Sequence, residues 1–517
     1  MATQFFTSTS LMALLFFGLY QVAINRSHLG MRGARQRHSQ VLGNTGFARV
    51  FKNFGVSRSK PFERNLVLVD QDIPKPRVEL KYGAQREGRR PDTAMARWRA
   101  HRLGMIIHFG LYSQAGGTWD GISYPSAAEF IKANAKVPDV EYDKLLKTFN
   151  PDKKAPKNWA RLAKQLGAKY VVITTKHHEG FCLWPSKHTD FAVHSTPYKT
   201  DFLGEFINAC EEEGLDVMLY YSILDWHHKS WRYALKDEDD RTEFMKYWKF
   251  ATLQLEELLD RYPGVKGFWF DGTWDSSVKN NGYLTYELEQ RLRKIKPDLV
   301  IGSRLRADET GARHFDANGQ LMGDYEQGWE RKLPVAPLEN DWECVMTVPE
   351  NQWGYHAKWS GHVKDSIELI EMLARCTALD GNFVLNIGPQ GNGSIRSEEI
   401  QLIQEIGTWM DINSHAIYNC GTSGLEKQDW GWITAREGST ELNAIIFNVP
   451  VSGRLNMQLK KGEVIKSATL GGKNLQIEEN GNGRYFIHIP KINYNTAFVI
   501  KLQIVDGKQT TTDAPKI

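Results

Sequence analysis

Between about residues 95 and 415, short apolar runs alternate with amphipathic segments, and that alternation leaves few folds open. Met105-Ile106-Ile107 reads as a strand. Trp159, Leu162, Ala163 and Leu166 fall on one face of a helix that Gly167 closes, and Tyr170–Thr174 is the strand after it. Phe202, Leu203, Phe206, Ile207 and Cys210 mark a second helix, followed by a strand at Leu215–Tyr221. A long helix over about 241–262 precedes the strand Phe268-Trp269-Phe270-Asp271. Another helix ends before Pro297, with Leu299-Val300-Ile301 after it. A helix near Ile367–Ala378 leads to the strand Phe383–Ile387. Repeated strand-then-helix units with short links imply a parallel sheet. Their number predicts a closed (β/α)8-like (TIM) barrel over about 91–420 rather than a Rossmann sheet, and no glycine-rich phosphate loop follows the first strand.

From about Trp430 the texture changes to short strand-like runs separated by Gly, Asn and Lys turns. Trp432–Thr434, Ala444–Phe447, Arg484–Ile489 and Phe498–Ile500 predict a C-terminal all-β sandwich over 421–517. A chain of 517 residues has room for a barrel and one smaller domain of this kind. The net charge of +4 is too small to argue for a nucleic-acid partner. The five cysteines are widely scattered, which indicates neither a zinc site nor a disulfide scaffold.

The apolar run Leu11–Ile24 has the length of a signal-peptide core or signal anchor, so residues 1–26 are expected to be one or the other. No Lys or Arg precedes it, and Arg26, Arg32, Arg35 and Arg37 follow it, a charge order that opposes simple export. The length outweighs this, and the expectation is a secreted, periplasmic or membrane-anchored protein that meets a membrane only through this segment. Residues 27–90 are basic and weakly periodic and read as a poorly ordered leader.

In a parallel barrel, chemistry gathers where strands run into their following loops. Here those ends are rich in polar groups. The first strand ends in His108-Phe109-Gly110, the next in Lys176-His177-His178-Glu179, and another in Tyr221-Ser222 before Asp225-Trp226-His227-His228. Asp271-Gly272 follows, then Ser303-Arg304. A lone carboxylate at a strand end, flanked by Trp269 and Trp274, suits a sugar: indoles stack on C–H faces while the acid serves as nucleophile or base. Imidazoles and an arginine can hold sugar hydroxyls and keep the carboxylate ionised. The paired histidines do not suggest a shared metal, because neighbours on an extended strand point to opposite faces.

Retaining glycoside hydrolysis needs a second carboxyl about 5–5.5 Å from the nucleophile. Asp324, Glu326 and Glu330 in Gly323–Glu330, and Glu343 beyond them, are all candidates, and composition does not choose among them.

These motifs, taken together and in order, resemble glycoside hydrolase family 29, the retaining α-L-fucosidases. The resemblance rests on GMIIHFGLYS (104–113), GAKYVVITTKHHEGFCLW (167–184), LYYSILDW (219–226), FWFDG (268–272), WGY (353–355) and GNFVLNIGPQGNGSI (381–395). It implies a barrel with a C-terminal β-sandwich and an exo-acting hydrolase releasing α-L-fucose from glycans or polysaccharides, with no metal or organic cofactor. Asp271 falls on the family nucleophile. His108, Glu129, His177, His178, Tyr221 and Arg304 fall on sugar-binding positions, and Trp184 on an aromatic pocket position.

Two departures stand out. The family's Glu-Trp-Tyr is matched by Glu129-Phe130-Ile131, which could change specificity toward α-L-galactose or another sugar. The stretch GDYEQGWERKLP (323–334) is one residue longer than the family pattern, so the acid/base is Glu330 if that insertion is allowed, with Glu326 as the competing choice. A catalytically inactive carbohydrate-binding protein is the alternative from a different class, and the intact acids argue against it. A homo-oligomer is compatible with the sequence, which does not specify one.

Overall fold

The computed structural model describes residues 89–306, 323–436, 438–491 and 496–506. The expected signal segment and nearly all of the expected leader lie outside them. Eight parallel strands form one sheet: β1 (Leu103–Ile107), β2 (Tyr170–Lys176), β3 (Asp216–Ser222), β4 (Gly267–Asp271), β5 (Val300–Ile301), β6 (Glu326–Glu330), β7 (Trp342–Thr347) and β8 (Asn382–Ile387). Their spatial order is β5-β4-β3-β2-β1-β8-β7-β6. The two end strands meet through a parallel bridge between Gly302 and Tyr325, with Ser303 N–H donating to Tyr325 O at 3.0 Å and Asp324 N–H to Ile301 O at 2.7 Å. The sheet therefore closes into a barrel. Beneath that join the buried Asp324 carboxylate accepts from Arg90, Arg293 and the Ile301 amide, each at 2.9 Å.

Before β1, α1 (Thr93–His101) packs Met95 and Trp98 against the barrel interior, and the outer layer comprises α2 (Ala155–Leu166), α3 (Phe202–Glu212), α4 (Glu238–Arg261), α5 (Gly282–Ile295), α6 (Ser366–Ala378) and α7 (Ser397–Asn413). Their ends follow local rules. Asp201, Asp237 and Asp365 accept from the first-turn amides of α3, α4 and α6, and α2 stops at Gly167 with φ +88°. The short link from β6 to β7 carries no helix. The barrel is filled by Ile106, Tyr170, Val172, Met218, Tyr220, Trp269, Val300, Tyr325, Val345 and Val384.

Two barrel strands were not legible as strands. β6 reads Glu-Gln-Gly-Trp-Glu, with no alternating apolar face, and β7 carries Glu343 within an apolar run. Arg90, counted in the expected leader, is fully buried and paired with Asp92 and Asp324.

The C-terminal part has two antiparallel sheets. The larger runs β9-β10-β11-β17-β13-β14, from β9 (Cys420–Thr422), β10 (Gly431–Arg436), β11 (Glu441–Ile446), β13 (Glu463–Leu470), β14 (Lys473–Asn474) and β17 (Phe498–Asp506). The smaller runs β12-β16-β15, from β12 (Arg454–Gln458), β15 (Ile477–Glu479) and β16 (Arg484–His488). Leu455, Met457, Tyr485, Ile487, Ile500 and Leu502 pack between the sheets. Trp432, Ile445 and Val499 join the barrel's hydrophobic cluster instead, and Trp409 of α7 donates to Ala497 O at 2.8 Å. The sandwich is thus fixed against α6 and α7, on the barrel's outer wall.

Candidate active site

Asp271 is the last residue of β4, opposite Ser222 of β3 in the ladder. Its carboxylate is almost enclosed. Oδ2 accepts from the Tyr220 hydroxyl at 2.7 Å, while Oδ1 accepts from Gly272 N–H at 2.9 Å and from Arg304 Nη1 at 3.2 Å. Burial pushes this acid up, but the Arg304 charge and the hydrogen bonds from Tyr220 and Gly272 hold it below the usual carboxylate range. Gly272 has φ +72°, and a side chain there would collide with Leu224 and Ser222.

Arg304 stands on the 3-10 turn Ser303–Arg306 that follows β5, its guanidinium 5.2 Å from the Trp269 ring centre. The same Nη1 that reaches Asp271 also donates to Glu330 Oε1 at 2.5 Å. The two carboxylate oxygens can therefore be no farther apart than 3.2 and 2.5 Å laid end to end. That bound matches the about 5–5.5 Å of retaining pairs and falls short of the about 6.5 Å at which inverting pairs begin.

The other acids of this region are used elsewhere. Glu326 accepts from Trp329 Nε1 at 3.2 Å and Asn340 Nδ2 at 2.9 Å, and is not in contact with Arg304. Asp324 is committed to the barrel join. Glu343 is buried inside the barrel, where Tyr170 donates to it at 2.6 Å and Trp269 at 2.9 Å. Along β6 the ladder slips by one residue between Glu326 and Trp329, a bulge in the stretch that carries both glutamates.

Three imidazoles face the carboxylate. His108, past the end of β1, shares a 2.7 Å hydrogen bond with Asn386 of β8. His178 shares one of 2.7 Å with Ser222, and its Nε2 lies 3.7 Å from Asp271 Oδ2. The His177 ring stacks on Tyr220, with centres 5.4 Å apart. Burial drives His108 and His178 down to about 4 and His177 well below its ordinary value, so all three are neutral at neutral pH. Phe130, Trp226 and Trp274 surround His178 with ring centres 5.2–5.3 Å away. Glu129 accepts from Gly354 N–H at 2.9 Å, and burial pushes it up to about 7.

The two histidine rings lie 4.1 Å apart, and with Asp271 they present donor atoms all within 4.8 Å of one another. The strand-alternation argument against a shared ion therefore does not hold. Both residues lie past Lys176, the last residue of β2, where the pleat no longer alternates. The positive partner that the structure gives Asp271 is Arg304.

A family model described as Alpha-L-fucosidase matches residues 73–415. The chain belongs to the alpha-L-fucosidase family. The match begins inside the expected leader. An alpha-L-fucosidase of Bacteroides thetaiotaomicron is 47% identical with a TM-score of 0.79, the alignment covering 85% of this chain and 100% of that one. A Bacteroides thetaiotaomicron enzyme of glycoside hydrolase family 29, trapped as a covalent intermediate with 2-fluoro-fucosyl fluoride, gives the same identity and TM-score over 83% of this chain and 100% of that one. Tissue alpha-L-fucosidase of Rattus norvegicus is 28% identical over 382 residues, 70% of this chain and 78% of the relative.

Within this alpha-L-fucosidase family site, two residues expected to line the pocket face away from it. The Tyr221 hydroxyl donates to Gln254 of α4 at 2.8 Å, on the outer side of the barrel wall. Successive residues of β3 point to opposite faces, and the inward phenol is that of Tyr220. Trp184 is buried against α4, donating to Glu257 at 3.1 Å. Sequence reasoning missed Tyr220, Ser222 and Asn386. Ser222 pairs with Asp271 and so shares a face with Tyr220, but two adjacent tyrosines in a strand buried on both sides give no parity from sequence.

Proposed function

We propose that this chain is an exo-acting, retaining α-L-fucosidase with Asp271 as nucleophile and Glu330 as acid/base. The observation that carries the reading is the single Arg304 nitrogen shared by the two carboxylates. Asp271, kept ionised, attacks the anomeric carbon as the glycosidic C–O bond breaks. Glu330 protonates the departing oxygen. Water then attacks the glycosyl ester as Glu330 takes its proton, and Asp271 is released as carboxylate. Neutral imidazoles of His108, His177 and His178, with Glu129, hold the sugar hydroxyls, and the rings of Phe130, Trp226 and Trp274 wall one terminal sugar. The substrate is a fucosylated glycan or polysaccharide, and the apolar run Leu11–Ile24 supports action outside the cytoplasm.

The test is hydrolysis of an aryl α-L-fucoside by wild type, Asp271→Gly, Glu330→Ala and Glu326→Ala, each with and without azide. Asp271→Gly is expected to be inert and Glu330→Ala to lose about 10²–10⁴-fold, both regaining turnover with azide, while Glu326→Ala stays near wild type. A fully active Asp271→Gly would sink the mechanism. Faster turnover of the matching α-L-galactoside would keep the mechanism and change the sugar.

A further inference from the structure

Two of the imidazoles are held by hydrogen-bond chains that end on backbone carbonyls, and a carbonyl can only accept. Asn386 Nδ2 donates to Trp353 O at 2.8 Å, which turns its Oδ1 toward His108 Nδ1 at 2.7 Å. The flipped amide would set oxygen against oxygen at Trp353. An amide oxygen also only accepts, so the shared proton belongs to His108 Nδ1. Ser222 Oγ donates its one proton to Leu224 O at 2.6 Å and lies 2.7 Å from His178 Nδ1. With that proton spent, the hydroxyl accepts, and the shared proton belongs to His178 Nδ1.

We infer that Asn386 and Ser222 are positioning residues that lock His108 and His178 in the Nδ1–H tautomer, so that both rings present a bare Nε2 to the substrate as acceptors of sugar hydroxyl protons. Neither residue touches the sugar; each acts through the ring it holds. The inference rests on the sugar-binding role proposed above for the two histidines. His178 Nε2 faces Asp271 Oδ2 across 3.7 Å, and two acceptors at that separation repel unless a donor lies between them. The pocket is thus built to be completed by hydroxyl groups that donate. The low affinity of both buried rings for a second proton agrees with this, since an imidazolium would carry a proton at Nε2.

The test is nitrogen NMR of the full chain labelled at histidine, with His108→Gln and His178→Gln to assign the two rings. At neutral pH both are expected to show a pyrrole-like Nδ1 and a pyridine-like Nε2. Ser222→Ala should let His178 mix tautomers and raise KM about tenfold with a smaller change in kcat, the signature of a lost binding contact. Asn386→Asp keeps the shape but places a carboxylate on His108, so its Nε2 should gain a proton as the pH falls toward neutrality, with KM rising alongside. An Nε2–H signal at either ring of the wild type would overturn the assignment, as would a Ser222→Ala enzyme with unchanged tautomer and KM. Because tautomers are read without substrate, an inert wild type with the expected signals would overturn the proposed function and leave the assignment standing.

Discussion

Tyr220 and Asp271 are joined by a 2.7 Å hydrogen bond, whereas the adjacent Tyr221 points through the barrel wall to Gln254. The paired phenols make a within-strand control. Tyr220→Phe removes a hydrogen bond to a charged group, worth about 1.5–3 kcal/mol, and is expected to lower kcat/KM roughly 10- to 100-fold. Tyr221→Phe leaves a buried amide oxygen unpaired, so it should cost about 1–3 kcal/mol of stability with kcat/KM little changed. Steady-state kinetics and denaturant unfolding of the two variants check this, and equal kinetic losses would contradict the geometry.

Asp271 works as a carboxylate, and Arg304 helps to hold it below the usual range. Its activity is therefore expected to persist as the pH falls through the normal carboxylate region. His108 and His178, down at about 4, become charged in that same acid range. The acid limb of kcat/KM should lie near pH 4 or below. Arg304→Gln withdraws the positive charge and should move that limb to higher pH, along with a loss of rate. A limb that stays in place in Arg304→Gln would show that another group sets it.

Glu343 carries a stability prediction of known sign. Burial raises it from 4.5 to about 7, so between those values the folded chain holds a proton that the unfolded chain has released. Stability from this group is full below about pH 4.5 and declines as the pH rises to about 7, by on the order of 3 kcal/mol. Glu343→Gln does not titrate, and the Tyr170 hydroxyl can turn to accept from the new amide. The variant is expected to match wild type near pH 4 and to melt higher at pH 8. Thermal unfolding at both pH values reads the difference, and a variant that gains nothing at pH 8 would refute it.

Asp324 binds two buried guanidinium groups at the barrel join. Asp324→Ala would leave Arg90 and Arg293 without that partner and should cost about 3–5 kcal/mol. Hydrogen exchange is expected to quicken first around residues 300–306 and 323–330, ahead of the rest of the barrel. Uniform loss of protection would point to global destabilisation instead.

Most of the barrel strands were legible as buried apolar runs, whereas β7, also buried throughout, was not, because Glu343 breaks its pattern. Tyr170–Thr175 is an unbroken apolar or β-branched run, Phe383–Ile387 is interrupted only at Asn386, and the helix before the latter carries a clear cap. β6 was illegible because its residues are chosen for the site and the barrel join rather than for a core face. The strand-end histidines and Asp271 could be read because polar residues after a buried strand have few structural reasons to be there. Tyr220, Ser222 and Asn386 could not, since their roles depend on which side of the wall each faces, and that parity is set by packing with neighbouring strands. The preference for Glu330 over Glu326 rested in the sequence on one assumed insertion, and in the structure it is Glu330 that meets Arg304.

The lightly paired join lies between β5, which leads into Arg304, and β6, which carries Glu330, while the bulge lies on β6 where it pairs with β7. Asp271 belongs to the densely bonded side of the ring, while Glu330 hangs on the strand that carries the bulge. The gap between the two carboxylates is therefore the dimension of this enzyme most easily retuned. In the proposed mechanism, a residue gained or lost in 323–330 would move Glu330 along its own strand while the pairing of β1 to β4 stays as it is, so that catalytic spacing and sugar recognition would change independently.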